Sequence, residues 1–303
     1  RMSRSLPLSM RTVRTIAELR ALLRTLREGN RRIGFVPTMG FLHEGHAALI
    51  RQSVSRCDST VVSIFVNPTQ FGPGEDLAQY PRDLERDQTL CHRLGTTVLF
   101  VPEPSEIYPT GYCTFVDPGP LGEPLCGQFR PGHFRGVATV VAKLFNIVQP
   151  DLAFFGQKDL QQTVVIRRMV RDLNLPVDIV VAPTLREADG LALSSRNTYL
   201  DADARARALA LSKGLFAAQE AFEGGERDAD RLLALARKPL TQVDEVQYLE
   251  LVDAVSLDAV VGEVRRTSAL CVAARVGRTR LIDNVLLAPN ADEAQFISHL
   301  EAE

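Results

Sequence analysis

Apolar residues follow two alternating rhythms along most of this chain. Between Thr15 and Asn30 the residues Ile16, Leu19, Leu22, Leu23 and Leu26 recur at helical spacing, and Gly29-Asn30 end the segment. Ile33–Val36 is a short, continuous apolar run, stopped by Pro37-Thr38-Met39-Gly40. Helical spacing returns from about Gly45, with Ala47, Ile50, Val54 and Cys57 on one side. Thr60–Val66 is rich in β-branched residues and reads as a strand. A loop follows over Asn67–Asp76, then a polar helix over Pro81–Leu94 and a third strand at Thr96–Val101. Residues 102–132 concentrate proline and glycine, which predicts a long loop of the kind that often carries function. His133–Val148 reads as a strong helix with Val137, Val140, Val141, Leu144 and Val148 along one face. Leu152–Phe155 and Val177–Val181 read as strands on either side of a helix at Asp159–Leu173.

Strands that alternate with helices pair in parallel, and strands that are apolar throughout are covered on both faces. The expected fold is therefore α/β, with a Rossmann-like parallel sheet in an N-terminal domain. The texture changes after about Leu185. Asp201–Arg237 reads as alanine- and leucine-rich helix, followed by strand-like segments at Val246–Val252, Ala269–Val276 and Arg280–Asp283. This predicts a smaller α+β C-terminal domain, so the expected division is 1–184 and 185–303, the second acting as a lid.

Composition narrows the partners. The 303 residues suggest two domains at roughly 150 residues each. With 45% hydrophobic and 24% charged residues the chain has the material for a core. Thirty-five Lys and Arg against 37 Asp and Glu give a net charge of −2, so no global field exists to hold nucleic acid. No apolar run reaches membrane-spanning length. Cys57, Cys91, Cys113, Cys126 and Cys271 are odd in number and widely spaced, which argues against a disulfide framework or structural zinc and for a reducing cytoplasm. Arg1, Arg4, Arg11 and Arg14 give the N-terminus the composition of a transit segment. The simpler expectation is that 1–9 are an extension and Met10 a start. Residues 1–14 enter no predicted element.

Three segments carry candidate chemistry. The first, Val36-Pro37-Thr38-Met39-Gly40-Phe41-Leu42-His43-Glu44-Gly45-His46, joins a strand to a helix. Ligands of open parallel sheets bind at the carboxyl ends of strands, and a helix start there offers N–H groups to phosphate. His43 and His46 are three residues apart, one too few for the His-Glu-x-x-His zinc helix. They could donate hydrogen bonds together to one phosphate. The dinucleotide glycine fingerprint is absent. The second segment, Leu193-Ser194-Ser195-Arg196-Asn197, reads either as a turn or as a polyphosphate clamp with a forked arginine donor. The third, Phe154-Phe155-Gly156-Gln157-Lys158-Asp159-Leu160-Gln161-Gln162, again joins strand to helix and places Lys158 at the strand end.

Ile33–His46 resembles the His-x-Gly-His signature of the nucleotidyltransferase superfamily, and Ser194-Ser195-Arg196 resembles that superfamily's second, Lys-Met-Ser-Lys-Ser-like loop. With Ser63–Phe71, Tyr80-Pro81-Arg82, Arg130–Gly136 and Arg280–Asn284, the chain resembles the pantothenate synthetase family from about Met10 to Asn284. The resemblance implies condensation of pantoate with β-alanine at the expense of ATP and Mg²⁺, through a pantoyl adenylate. It implies an ATP site made of Met39, Gly40, Phe41, Leu42, His43, Glu44, Gly45 and His46, with Gly156, Gln157, Lys158, Asp159, Leu185, Leu193, Ser194, Ser195 and Arg196. His46, His43, Lys158, Ser194, Ser195 and Arg196 are the implied catalytic set. Gln70 and Gln162 are implied to hold pantoate, Gln70 also to reach β-alanine, and Asp87 to contact the metal. A homodimer is implied too. Val140 and Val141 are open between core and a wall for pantoate's gem-dimethyl group, and Arg130 and His133 could border the pocket. His92 and His299 are expected at the surface.

Overall fold

A computed structural model describes residues 9–289. The segment 1–8 and His299 lie outside the described residues. Six strands form one parallel sheet: β1 (Arg11–Val13), β2 (Ile33–Thr38), β3 (Ser59–Ile64), β4 (Val98–Phe100), β5 (Leu152–Gly156) and β6 (Asp178–Ala182), in the spatial order β1-β4-β3-β2-β5-β6. The helices between them are α1 (Ile16–Leu26), α2 (Glu44–Arg56), α3 (Leu84–Arg93), the short α4 (Pro104–Ile107) and α5 (Cys126–Phe129), α6 (His133–Val148) and α7 (Leu160–Asp172). Side-chain caps start α1, α2 and α3. The Thr15 hydroxyl accepts from the Glu18 N–H while the Glu18 carboxylate accepts from the Thr15 N–H, a reciprocal cap on α1.

Alternation along the strands divides the core into two layers. Ile33 and Phe35 face one layer with buried residues of α1, α6 and α7, and Val36 faces the other with Leu49, Ile50 and Cys91 of α2 and α3. α6 exceeds its expected stripe: Ala138, Thr139 and Ala142 are buried as well, because α6 lies against the sheet and also under neighbouring loops.

The strand order reverses between β2 and β5. β2 pairs with β3 over its whole length, Ile33↔Ser59 to Thr38↔Ile64, but with β5 only at Gly34↔Leu152 and Phe35↔Ala153. Beyond Phe35 the two strands part, and Pro37, which has no N–H, sits where β5 has left. A crevice opens at that switch point.

The second unit contains α8 (Ala202–Glu223), α9 (Ala229–Arg237) and an antiparallel sheet of β7 (Glu245–Asp253), β8 (Ser268–Val276) and β9 (Thr279–Leu287). One face of this sheet, with Leu249, Leu251, Leu270 and Val272, packs on α8 and α9. The other face, with Tyr248, Val252, Ala269 and Cys271, joins the core of the first sheet. Such a sheet is buried on both sides.

Several expectations change. Arg11–Val13, excluded from the predicted elements, is the edge strand β1, paired in parallel with β4. Three residues are too few to show periodicity. The single helix expected over Asp201–Arg237 is two, because Gly224-Gly225 break it, Gly225 at φ +107°, and Asp228 caps the next start by accepting from the Arg231 N–H. The loop 102–132 contains α4, α5 and a 3-10 turn at Gly119–Gly122. The last strand runs on past Asp283 to Leu287.

Candidate active site

The loop leaving β2 is shaped by one carboxylate. Both oxygens of Asp87, which is 1% exposed, accept from backbone: Oδ2 from Phe41 N at 2.7 Å and Oδ1 from Leu42 N at 2.8 Å. The chain turns at Gly40, φ +85°, where a Cβ would stand 2.9 Å from the Ile64 side chain. The turn delivers His43 as the N-cap of α2, where a Ser or Asp is usual. His43 Nδ1 accepts from Gly45 N at 3.0 Å, and His46 Nδ1 accepts from His43 N at 3.2 Å. This is a capping box built of two imidazoles. Since both Nδ1 atoms accept, each neutral ring carries its proton on Nε2. The rings lie 4.1 Å apart. Gly45 makes this possible, because a Cβ there would meet His43 Cε1 at 2.7 Å.

Burial, with the positive charge of nearby Lys158, lowers the pKa of His43 to about 4. Burial also takes His46 well below its ordinary value, helped by His43 and Lys158. Both rings are therefore neutral hydrogen-bond donors at neutral pH. Opposite them, β5 ends at Gly156 in a 3-10 turn, Gln157–Asp159, that presents Lys158. Among the described residues Lys158 makes no ion pair.

Adjacent acids hold the two arginines of the site. Glu75 accepts from Arg130 Nε at 2.9 Å and from its Nη2 at 2.6 Å. Asp76 accepts from Arg196 Nε and Nη2, both at 2.9 Å. The Arg130 pair holds Glu75 below the usual carboxylate range against its burial, and the Arg196 pair does the same for Asp76. Gln70 ends a 3-10 turn, Pro68–Gln70, that lies tight against α6. A Cβ on Gly136 would meet Thr69 O at 2.4 Å. Asn67 Nδ2 donates to Gln70 Oε1 at 3.0 Å, and His133 Nδ1 donates to Gln70 O at 2.8 Å. Burial and the Arg130 charge bring His133 to about 4.

These groups surround one cavity of about 240 Å³. From the β2 side it is lined by Met39, His43, Gly45 and His46, and from the β5 side by Gly156, Lys158, Asp159 and Gln162. Leu185, Leu193, Ser194, Ser195 and Arg196 border it, and Gln70 reaches it from its turn. Arg130, His133, Val140 and Val141 are lining residues too, which favours the wall reading for the two valines although each is 5% exposed. Gly40, Phe41, Leu42, Glu44 and Gln157 lie outside the lining and shape it from behind; Ser195 Oγ, for example, donates to Phe41 O at 3.2 Å. Asp87 is also outside the lining. Both of its oxygens brace the loop by accepting from backbone N–H groups. His92 is exposed, as expected.

Sequence reasoning gave no role to Asn67 and Tyr80, which also line the cavity, or to Glu75 and Asp76. Asn67 had a signal: Asn before Pro-Thr is a turn cap, and its Oδ1 indeed accepts from Thr69 N at 3.3 Å. The acids had none, since their partners are far along the chain.

Such a crevice defines a class first: an α/β protein that receives a phosphate-bearing ligand where the order of its parallel strands reverses. The comparisons supply the member. Residues 11–286 match the model of the pantoate–β-alanine ligase family. The chain is 61% identical over 279 residues to pantothenate synthetase 1 of Bradyrhizobium diazoefficiens, covering 92% of this chain and 99% of that one. It is 54% identical over 278 residues to the pantothenate synthetase of Pelotomaculum thermopropionicum, covering 90% and 97%. The crystal structure of pantothenate synthetase from Thermus thermophilus superposes with a TM-score of 0.87 at 49% identity, covering 92% of this chain and all of that one. The ligase from Francisella tularensis, solved in complex with β-γ ATP and β-alanine, gives a TM-score of 0.77 at 34% identity, covering 91% and 97%. This chain belongs to the pantoate–β-alanine ligase family.

Proposed function

We propose that this chain condenses pantoate with β-alanine in two steps at the crevice between β2 and β5, with the residue roles that follow. A carboxylate does not react with an amine unaided, because oxide is too poor a leaving group. In the first step a pantoate carboxylate oxygen attacks the α-phosphorus of ATP, and pyrophosphate leaves with the electron pair of the broken P–O bond. In the second, the β-alanine nitrogen attacks the acyl carbon, AMP departs, and the nitrogen loses a proton to give pantothenate. Positioning and charge stabilisation carry the first step.

The observation that carries this reading is the pair of neutral histidines capping α2 opposite Lys158. Their Nε2–H groups and the helix N-terminus suit phosphate oxygens, and Lys158 supplies the charge. His46 is the principal donor and His43 assists. Ser194, Ser195 and Arg196 take the pyrophosphate, with Arg196 exchanging Asp76 for phosphate oxygens. Leu185 and Leu193 flank adenine, and Asp159 stands near the ribose. Gln70 and Gln162 donate and accept to pantoate, Gln70 also to β-alanine, while Val140 and Val141 meet the gem-dimethyl group.

Mg²⁺ belongs to this reading as an ion carried on the phosphates. The described residues contain no cluster of three or more His, Cys, Asp or Glu able to hold a metal. A hydrated Mg²⁺ leans on phosphate oxygens and needs few protein ligands. Asp159 is the cavity carboxylate available to it. The ion neutralises triphosphate charge when bound. A cytoplasmic homodimer completes the proposal. All five cysteines are free thiols, which suits a reducing compartment, and no described helix is long and apolar enough to cross a membrane.

The test is ATP–pyrophosphate exchange with and without pantoate. Exchange that requires pantoate and not β-alanine is expected, with AMP and pantothenate appearing once β-alanine is added. A nucleotide-containing end product without an amide overturns the reading. Sedimentation velocity checks the dimer.

A further inference from the structure

The small sheet reaches the phosphate-binding turn through one side chain. Asn284, on β9, is 3% exposed. Its Nδ2 donates to the carbonyls of Gln157 and Lys158, both at 3.0 Å, and its Oδ1 accepts from Gln157 Nε2 at 3.3 Å. The carboxamide thus spends both of its donor protons and its acceptor on one turn. Its neighbour holds the opposite bank. Asp283, 4% exposed, takes Arg186 bidentately at 2.6 and 2.8 Å, and Arg186 Nη1 also donates to Gly190 O at 3.1 Å. Arg186 begins a hairpin bridged to Ala192, and Leu193 N donates to Leu185 O at 3.0 Å. Two consecutive residues of one strand therefore brace both the Lys158 turn and the Leu185–Leu193 wall.

We propose that Asn284 is a positioning residue for Lys158, fixing the carbonyls of the Gln157–Lys158 turn so that the ammonium meets the phosphate undergoing displacement. The inference rests on the adenylate-forming reading above. Asparagine is required because two donors and one acceptor must sit on a short side chain. Aspartate keeps the size but turns a carboxylate toward two carbonyls, and alanine leaves both carbonyls without this partner. Because Asn284 acts through Lys158, it matters to the step in which pyrophosphate leaves. It does not matter to attack of the amine on an adenylate already formed.

The experiment measures both half-reactions for Asn284→Asp and Asn284→Ala. Pantoate-dependent ATP–pyrophosphate exchange is expected to fall about 10- to 100-fold, the cost of misplacing a reacting group by up to an ångström. Release of AMP by β-alanine from supplied pantoyl adenylate is expected to stay within about threefold of the parent rate, since only the exchange arm carries the roughly 100-fold penalty. Adding Asn284→Asp to Lys158→Ala is expected to cost nothing further, because the pair acts as a unit. An equal fall in both half-reactions, a full multiplicative loss on the Lys158→Ala background, or unaltered exchange overturns the proposal. Thermal melts accompany each variant; if Asn284→Ala does not fold, the equal-sized Asn284→Asp carries the test. Failure of both to fold assigns Asn284 to stability and also overturns it. Absence of exchange in the unaltered chain refutes the reading of the reaction instead.

Discussion

Replacing Gly45 by alanine puts one methyl group 2.7 Å from His43 Cε1 and 2.9 Å from its Nδ1. Ordinary carbon contacts begin near 3.4 Å, so the ring must retreat by about 0.7 Å. Retreat stretches the 3.0 Å bond from Gly45 N that fixes the ring and its tautomer. Stability should barely register the change. Gly45 has no positive φ, so its backbone suits alanine, and alanine favours a helix over glycine by up to about 1 kcal/mol. Loss of an N-cap costs about 0.5–2 kcal/mol in the opposite direction. The difference is about 1 kcal/mol or less, a shift of about 2–4 °C in Tm for a domain of this size. Catalysis should register it strongly, with pantoate-dependent exchange falling about 10- to 100-fold for a displacement approaching an ångström. His43→Ala alone and together with Gly45→Ala closes the cycle. If Gly45 acts through His43, the double variant exchanges no more slowly than His43→Ala. Normal exchange in Gly45→Ala, or a further loss in the double variant, refutes the reasoning.

His46→Ala should lose about 10²- to 10³-fold in adenylate formation, as for one charge-stabilising donor, read by pyrophosphate exchange; an unchanged rate removes His46 from the role. The pH dependence of stability follows from His43 and His133, each near 4 in the folded chain. An unfolded histidine titrates near 6.5, so between about 4 and 6.5 the unfolded state binds protons that the folded state refuses. Stability therefore rises with pH through that window and is lost as pH falls through it, by up to about 1.4 kcal/mol per pH unit for each ring. Urea melts at stepped pH should show this slope, and His133→Gln should reduce it. Asp87→Asn exchanges one acceptor for a donor facing a backbone N–H. It should cost about 1–3 kcal/mol of stability in denaturant melts while leaving the Mg²⁺ concentration for half-maximal exchange unchanged; a rise in that concentration shows that Asp87 contacts the metal as well as bracing the loop.

The parallel sheet was legible because β2, β3 and β5 carry short apolar or β-branched runs separated by periodic helices. The crevice was legible because Gly40, Gly45, His43 and His46 crowd one strand-to-helix turn. The bracing role of Asp87 was not legible, because its carboxylate satisfies two amide groups 45 and 46 residues away in the chain. Glu75 and Asp76 sit between glycines and prolines that signal only a loop; their arginines lie 55 and 120 residues further on. Pairings at that separation leave no local pattern. The two-sided burial of the small sheet was hidden for a related reason. Alternation shows that Tyr248 and Leu249 point to opposite sides, but not that both sides are covered.

β1 bears on solubility more than on chemistry. Arg11–Val13 covers the outer edge of β4, whose residues Val98, Leu99 and Phe100 are at most 1% exposed. A chain shortened to begin at Arg14 uncovers three apolar residues with open backbone groups, a template for pairing with another molecule. The edge that β1 offers in exchange is three residues long, with exposed Arg11 and Thr12 and with Arg14 just beyond it. Short, charged edges resist intermolecular strand addition. Precipitation of such a shortened chain, rather than slower turnover, is how the loss of this strand would show itself.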